Sequence, residues 1–137
     1  MRCNLAFSIT TEGKATFLGW MLASTDVPDN MTIHLYSNAA SISSSTVLED
    51  LTESVWDGYT ATSLLRGSFS VDTSGGTATA SYTTVTWTAG GAISPADING
   101  YYICDSDDNL ILAEAFPSTY VIDASATISI IPTVSLT

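Results

Sequence analysis

The sequence predicts an all-β protein: a single β-sandwich or jelly-roll-like domain with one short helix near residues 46–53. Three observations carry this expectation. Apolar and polar residues alternate with a period of two in several runs, the pattern of a strand with one face buried. Breaker clusters rich in Gly, Asp, Asn, Ser and Pro (TEGK, TDVPDN, TSGG, AGGAISPADING, DSDDN) separate these runs at short intervals, which punctuates many short strands. The chain of 137 residues is long enough for one domain with a real core, and neither a repeat nor a shift in composition marks a second. Residues 1–11 are set apart as an N-terminal strand or arm, and 12–137 as the sandwich.

In chain order, 4–11 places Leu5, Phe7 and Ile9 on one alternating face. This is either the first strand of the sandwich or an arm that pairs with a neighbour, because an uncovered edge of that character aggregates. The apolar run 15–23 is expected to be a strand with Trp20 in the core. In MTIHLYS, Met31, Ile33 and Leu35 face one way and Thr32, His34 and Tyr36 the other. SSSTVLEDLTES supplies cap residues followed by Glu49 and Asp50, a helix start with room for roughly two turns before Gly58. Further strands are expected at 62–72, 77–88, 99–105, 109–116 and 119–123. Within 77–88 the apolar side changes between Tyr82 and Val85, so a bulge is expected near Thr83 and Thr84. In ATISIIPTVSL, Ala126, Ile128, Ile130, Val134 and Leu136 share a face with Pro132. That proline cannot donate to a ladder, so the strand is at an edge, bulges, or ends there.

Candidate sites are few. Asp105, Asp107 and Asn109 have the spacing of the first three ligands of a calcium loop. The glycine needed at the sixth position is Leu110, and the bidentate glutamate at the twelfth is Phe116. The segment therefore reads as a hairpin turn made by Asp and Asn, and no metal is expected. Glu114, inside the following strand, is expected to point to solvent or to a neighbouring subunit. His34 is the one histidine. Cys3, Cys104 and His34 lack zinc spacing, and no nucleophile-elbow motif is present. The sequence thus predicts no enzyme, no catalytic residue and no cofactor. Cys3 and Cys104 are expected to be free thiols. Trp56 and Tyr59, in a turn with Gly58, could bind sugar, contact a partner or close the end of the sandwich. Tyr36, Trp56 and Tyr59, with Leu5, Phe7 and Ile9, are the predicted interface residues, since aromatic side chains anchor interfaces.

Composition narrows the partners. Fourteen acidic residues stand against Arg2, Lys14 and Arg66, a net charge of −11. Three cations cannot build a phosphate-binding surface, so nucleic acid is excluded, and so are anionic membrane surfaces. Charged residues are 12% of the chain, about half the usual share. Serine and threonine number 39, and glutamine is absent. A surface so poor in charge either is covered by partners or is simply a threonine-rich sheet. The N-terminal stretch MRCNLAFSITTEGK has no long apolar region and no cleavage site, so neither a leader nor a transmembrane run is expected.

Five motifs together resemble a known family: LYSN at 35–38, DLTESVWDGY at 50–59, WTAG at 87–90, GYYICDSDDNLILAEAF at 100–116 and IIPTVSL at 130–136. In this order they resemble the small virion-associated proteins of tailed bacteriophages, including capsid decoration or cement-like proteins. The resemblance spans the chain from Ile33 onward. It implies a structural protein on the capsid exterior, made in the host cytoplasm. Its partners would be the major capsid protein and copies of itself, by analogy a homotrimer. A tail or neck component and a carbohydrate-binding or host-adhesion module are the alternatives.

Overall fold

The computed structural model describes residues 8–23 and 27–136. Among them one helix, α1 (Thr11–Leu22), and ten strands form: β1 (Ser8–Ile9), β2 (Asn30–Tyr36), β3 (Thr62–Leu65), β4 (Ser70–Asp72), β5 (Ala78–Ser81), β6 (Val85–Thr88), β7 (Ala96–Cys104), β8 (Leu110–Ile122), β9 (Thr127–Ile130) and β10 (Thr133–Leu136). The strands make a five-stranded sheet in the order β1-β8-β7-β2-β3, a three-stranded sheet β10-β5-β4 and a two-stranded ribbon β6-β9. All pairings are antiparallel. The all-β expectation holds.

The main core lies between the five-stranded sheet and the ribbon. Ile33 and Leu35 of β2, Ile103 of β7 and Leu112 of β8 meet Val85 and Trp87 of β6 and Ile128 and Ile130 of β9. A second, smaller cluster fills the opposite side of the sheet, where Tyr36, Tyr102, Cys104 and Leu110 meet Leu51, with Leu48 packed beside them. The period-two reading of MTIHLYS is therefore correct, since its two faces serve two cores.

Several boundaries differ from the sequence expectation. The run 15–23 belongs to α1. Thr10 caps it, its hydroxyl accepting the Gly13 N–H at 2.9 Å and donating to the Leu110 carbonyl, and Glu12 lies in the first turn. Gly13, Thr16, Phe17 and Trp20 turn inward at helical spacing. Trp20 is half-buried and is not a core residue. The helix expected near 46–53 shrinks to one 3-10 turn, Leu48–Asp50. Beyond it the chain is drawn out beside β2: Ser37 N–H bonds to Thr52 O and Ser54 N–H to Leu35 O, both at 2.8 Å. Those two bonds compete with helical ones and win.

The expected strand 62–72 divides at the turn Arg66–Ser68, so β3 serves one sheet and β4 another. In place of a bulge near Thr83 and Thr84 there is a gap between β5 and β6. The partner strand is broken at the same level, between β9 and β10, by Ile131 and Pro132. Both strands of the ribbon turn a corner together, and Pro132 ends a strand as its missing donor requires. Conversely, 109–116 and 119–123 are one strand. Its irregularity around Pro117 appears as a register shift, with Ile98 opposite Tyr120 but Gly100 opposite Ala115. Residues 4–7 of the expected first strand lie outside the described residues.

Gly13 sets how closely α1 approaches β8. A Cβ there would collide with the backbone carbonyl of Ile111. In an open helix Gly→Ala stabilises by about 1 kcal/mol. Here the overlap costs about 1–3 kcal/mol, so Gly13→Ala is expected to be net destabilising. Urea denaturation should give a lower midpoint at unchanged slope, and a raised midpoint would contradict the close packing.

Candidate functional site

The most connected polar constellation in the described residues surrounds β2. His34 and Tyr36 alternate outward from the main core, and the segment 51–59 folds over them. The His34 ring stacks on Tyr102 with centroids 4.7 Å apart and planes 5° from parallel. Its Nδ1 lies 2.9 Å from Glu53 Oε1. The same carboxylate oxygen accepts the Tyr59 hydroxyl at 3.0 Å, and that hydroxyl in turn accepts the buried Leu35 N–H at 2.9 Å. Gly58, at φ +92°, lets the chain reverse so that Tyr59 reaches back.

An imidazole beside a carboxylate resembles part of a catalytic relay, but a relay needs a nucleophile on the imidazole. No Ser, Thr or Cys side chain bonds to His34 among the described residues. The constellation joins the 51–59 turn to the sheet. Beside it lies a shallow groove of about 350 Å³ lined by Ser37, Thr52, Glu53, Ser54, Trp56 and Asp97, among others. Ser54 Oγ and Trp56 Nε1 are buried there with no hydrogen-bond partner among the described residues.

The predicted interface residues that the structure describes, Ile9, Tyr36, Trp56 and Tyr59, do not gather on one open surface. Tyr36 is wholly buried, and its hydroxyl donates to the Glu114 carbonyl. Trp56 is 9% exposed and belongs to the main core. In this structure both rings are used inside the fold. Tyr59 packs between Trp56 and Trp87, with centroids 5.3 and 6.3 Å away, and closes the end of the core. Ile9 is half-buried in β1 opposite Leu112. Leu5 and Phe7 lie outside the described residues, as does Cys3 and with it any pairing to Cys104.

The aspartate loop is the hairpin turn between β7 and β8. Asp105 is buried, and its carboxylate accepts the backbone N–H groups of Asp107 and Asn109 and the Asn109 side-chain amide, at 2.8–3.0 Å. Asp108 takes the left-handed conformation the turn requires. The carboxylate that a metal would need is used by the loop itself, and no cluster of metal-binding side chains occurs among the described residues. Glu114 does not face outward as expected. It is 4% exposed, and its Oε2 accepts the Tyr101 hydroxyl at 2.6 Å, while Oε1 has no partner among the described residues.

Sequence reading missed a group of exposed apolar side chains on one helix. Leu18, Met21 and Leu22 on α1 are exposed by 57%, 77% and 76%. The cap at Thr10 with Glu12 in the first turn is the signal that would have found it; the strand reading hid it by assigning alternate residues inward. No helix among the described residues is long and apolar enough to cross a membrane. Comparison with known protein families and with curated proteins finds no match.

Burial pushes the Tyr36 hydroxyl up to about 12, helped by Glu114. Burial also raises Tyr59, where Glu53 adds to the effect, and Tyr102. Burial, then Asp108 and Asp105, raise the Cys104 thiol to about 12. Each group keeps its proton when folded, whereas in the unfolded chain the thiol titrates near 9 and the phenols near 10. Stability is therefore full below about pH 9 and falls as pH rises toward 12, by about 1.4 kcal/mol per pH unit for each group titrating. Thermal melts between pH 8 and 11 should show a flat melting temperature and then a steep decline; a flat profile throughout would refute the burial of these groups. Tyr59→Phe leaves the Leu35 N–H unpaired in the interior, and should cost about 1–3 kcal/mol in chemical denaturation.

Proposed function

We propose that the chain is a structural protein of a phage virion: a capsid decoration, or cement, protein that binds the assembled head from outside and ties neighbouring capsomers together. The observation that supports this reading is where the polar groups are used. Among the described residues, His34, Glu53, Tyr59 and Asp105 are bound up in internal contacts, and Glu114 is buried. Among the side chains left open is a strip of large apolar ones on α1. A surface of that kind binds, and it presents no reacting groups to a substrate.

The resemblance to small phage virion proteins points the same way. The expected partners are the major capsid protein and two further copies of the chain, arranged where three capsomers meet. A net charge of −11 would keep decorated particles apart in solution.

Purified protein mixed with expanded heads that lack it should co-sediment with them to saturation and raise their resistance to heat. Protein that stays in the supernatant would end the proposal. Immunogold label confined to the tail of intact virions would move the assignment to a tail or neck component.

A further inference from the structure

The outward face of α1 changes character half-way along. Lys14 lies in its first half, and Leu18, Met21 and Leu22 in its second. The inward face of that second half is Phe17 and Trp20, whose rings meet edge to face at 5.3 Å. The helix is thus apolar all round from residue 17 on. Such a helix is stable in water only when covered, and among the described residues its outer side is bare.

We propose that this half of α1 docks on the same half of α1 in a second copy of the chain, the two helices antiparallel about a twofold axis at Leu18. Ala15, Leu18 and Leu22 are spaced i, i+3, i+7, which is the seam of a paired helix. A twofold at Leu18 sets that residue on itself and the small Ala15 of each copy against the bulky Met21 and Leu22 of the other, so large side chains meet small ones.

Charge selects both the partner and the orientation. Lys14 makes no ion pair among the described residues. The last turn of α1 has no basic residue, so its terminal carbonyls carry an uncompensated partial negative charge. Residues 14 and 22 are equidistant from 18, so antiparallel pairing brings each Lys14 to the last turn of the other helix. A parallel pair would set the two lysines side by side and align the dipoles. The Glu12 carboxylate accepts the Leu110 N–H at 3.0 Å, which holds it toward the body and away from the seam. In a chain of net charge −11, a strip whose free charge is a cation lets two copies meet without opposing carboxylates.

The three exposed side chains offer on the order of 400 Å², about half of what each partner buries in a stable complex. The pair is therefore weak in dilute solution and forms where copies are concentrated. Its symmetry is twofold, so it is separate from the threefold arrangement proposed above and does not rest on it.

Sedimentation velocity of the full chain, from low to high micromolar, should show a concentration-dependent dimer. Leu18→Asp, at an exposed position, should shift dimerisation about tenfold or more to higher concentration with an unchanged circular dichroism spectrum, and Lys14→Glu should weaken it less. In a Cys3→Ser background, Leu18→Cys should yield a disulfide-linked dimer on mild oxidation, as a residue on the axis must. A chain that stays monomeric throughout, or a dimer indifferent to Leu18→Asp, would overturn the proposal. So would a monomeric L18C variant that resists a maleimide, since the helix would then be covered by the chain's own residues.

Discussion

The centre of β7 is buried on both faces, and most of the structure follows from that constraint. Gly100, Tyr101, Tyr102, Ile103 and Cys104 are consecutive, and all are buried. A strand in that position needs a neighbour on each edge and a cover on each face. β2 and β8 supply the edges. The β6–β9 ribbon covers one face with Val85, Trp87, Ile128 and Ile130. The other face is covered by irregular chain around Leu48 and Leu51. Irregular chain brings unpaired backbone groups with it, which is why segment 51–59 borrows bonds from β2 and why Tyr59 places its hydroxyl on the Leu35 N–H. The polar constellation around His34 is a consequence of covering a hydrophobic face with a loop.

The wealth of hydroxyls has a local explanation in the smaller sheets. Thr79 faces Ser135, Thr86 faces Ser129 and Thr88 faces Thr127, with oxygens 2.9–3.2 Å apart in each pair. Small cross-strand pairs of this kind stabilise a sheet modestly, and each partner satisfies the other without an ion. The threonine-rich sheet thus accounts for part of the composition. It leaves α1 as the region where composition and exposure disagree.

Much of the fold is legible in the sequence because strand periodicity is a local property. The faces of MTIHLYS, the arrest at Pro132 and the turn at Asp105 each depend on residues within a few positions. The expectations that fail depend on distant partners. The helix at α1 is hidden because Phe17, Leu18, Trp20, Met21 and Leu22 are apolar on every side, so neither period stands out; its signal is the cap at Thr10 and Glu12. The helix expected near 46–53 fails because Thr52 and Ser54 find β2. Residue type alone makes Tyr36 and Trp56 resemble surface anchors. Burial is decided by what folds over them: for Tyr36 a cluster that includes Leu51, and for Trp56 a core that includes Trp87. The inward turn of Glu114 has no local signal, since its partner Tyr101 lies across the hairpin.

The hydroxyl pairs also bear on how the molecule responds to ionic strength. These cross-strand polar contacts are neutral, and among the described residues only two ion pairs occur, His34 with Glu53 and Arg66 with Asp29. The second is at 3.7 Å between well-exposed groups, a kind that contributes little. Dissolved salt therefore has almost no attraction to screen. It does have repulsion to screen, among fourteen acidic side chains on one small body. The balance runs opposite to that of a fold held by surface ion pairs: added salt relieves the native state, and the dilute buffer in which proteins are commonly handled is the condition that strains it most.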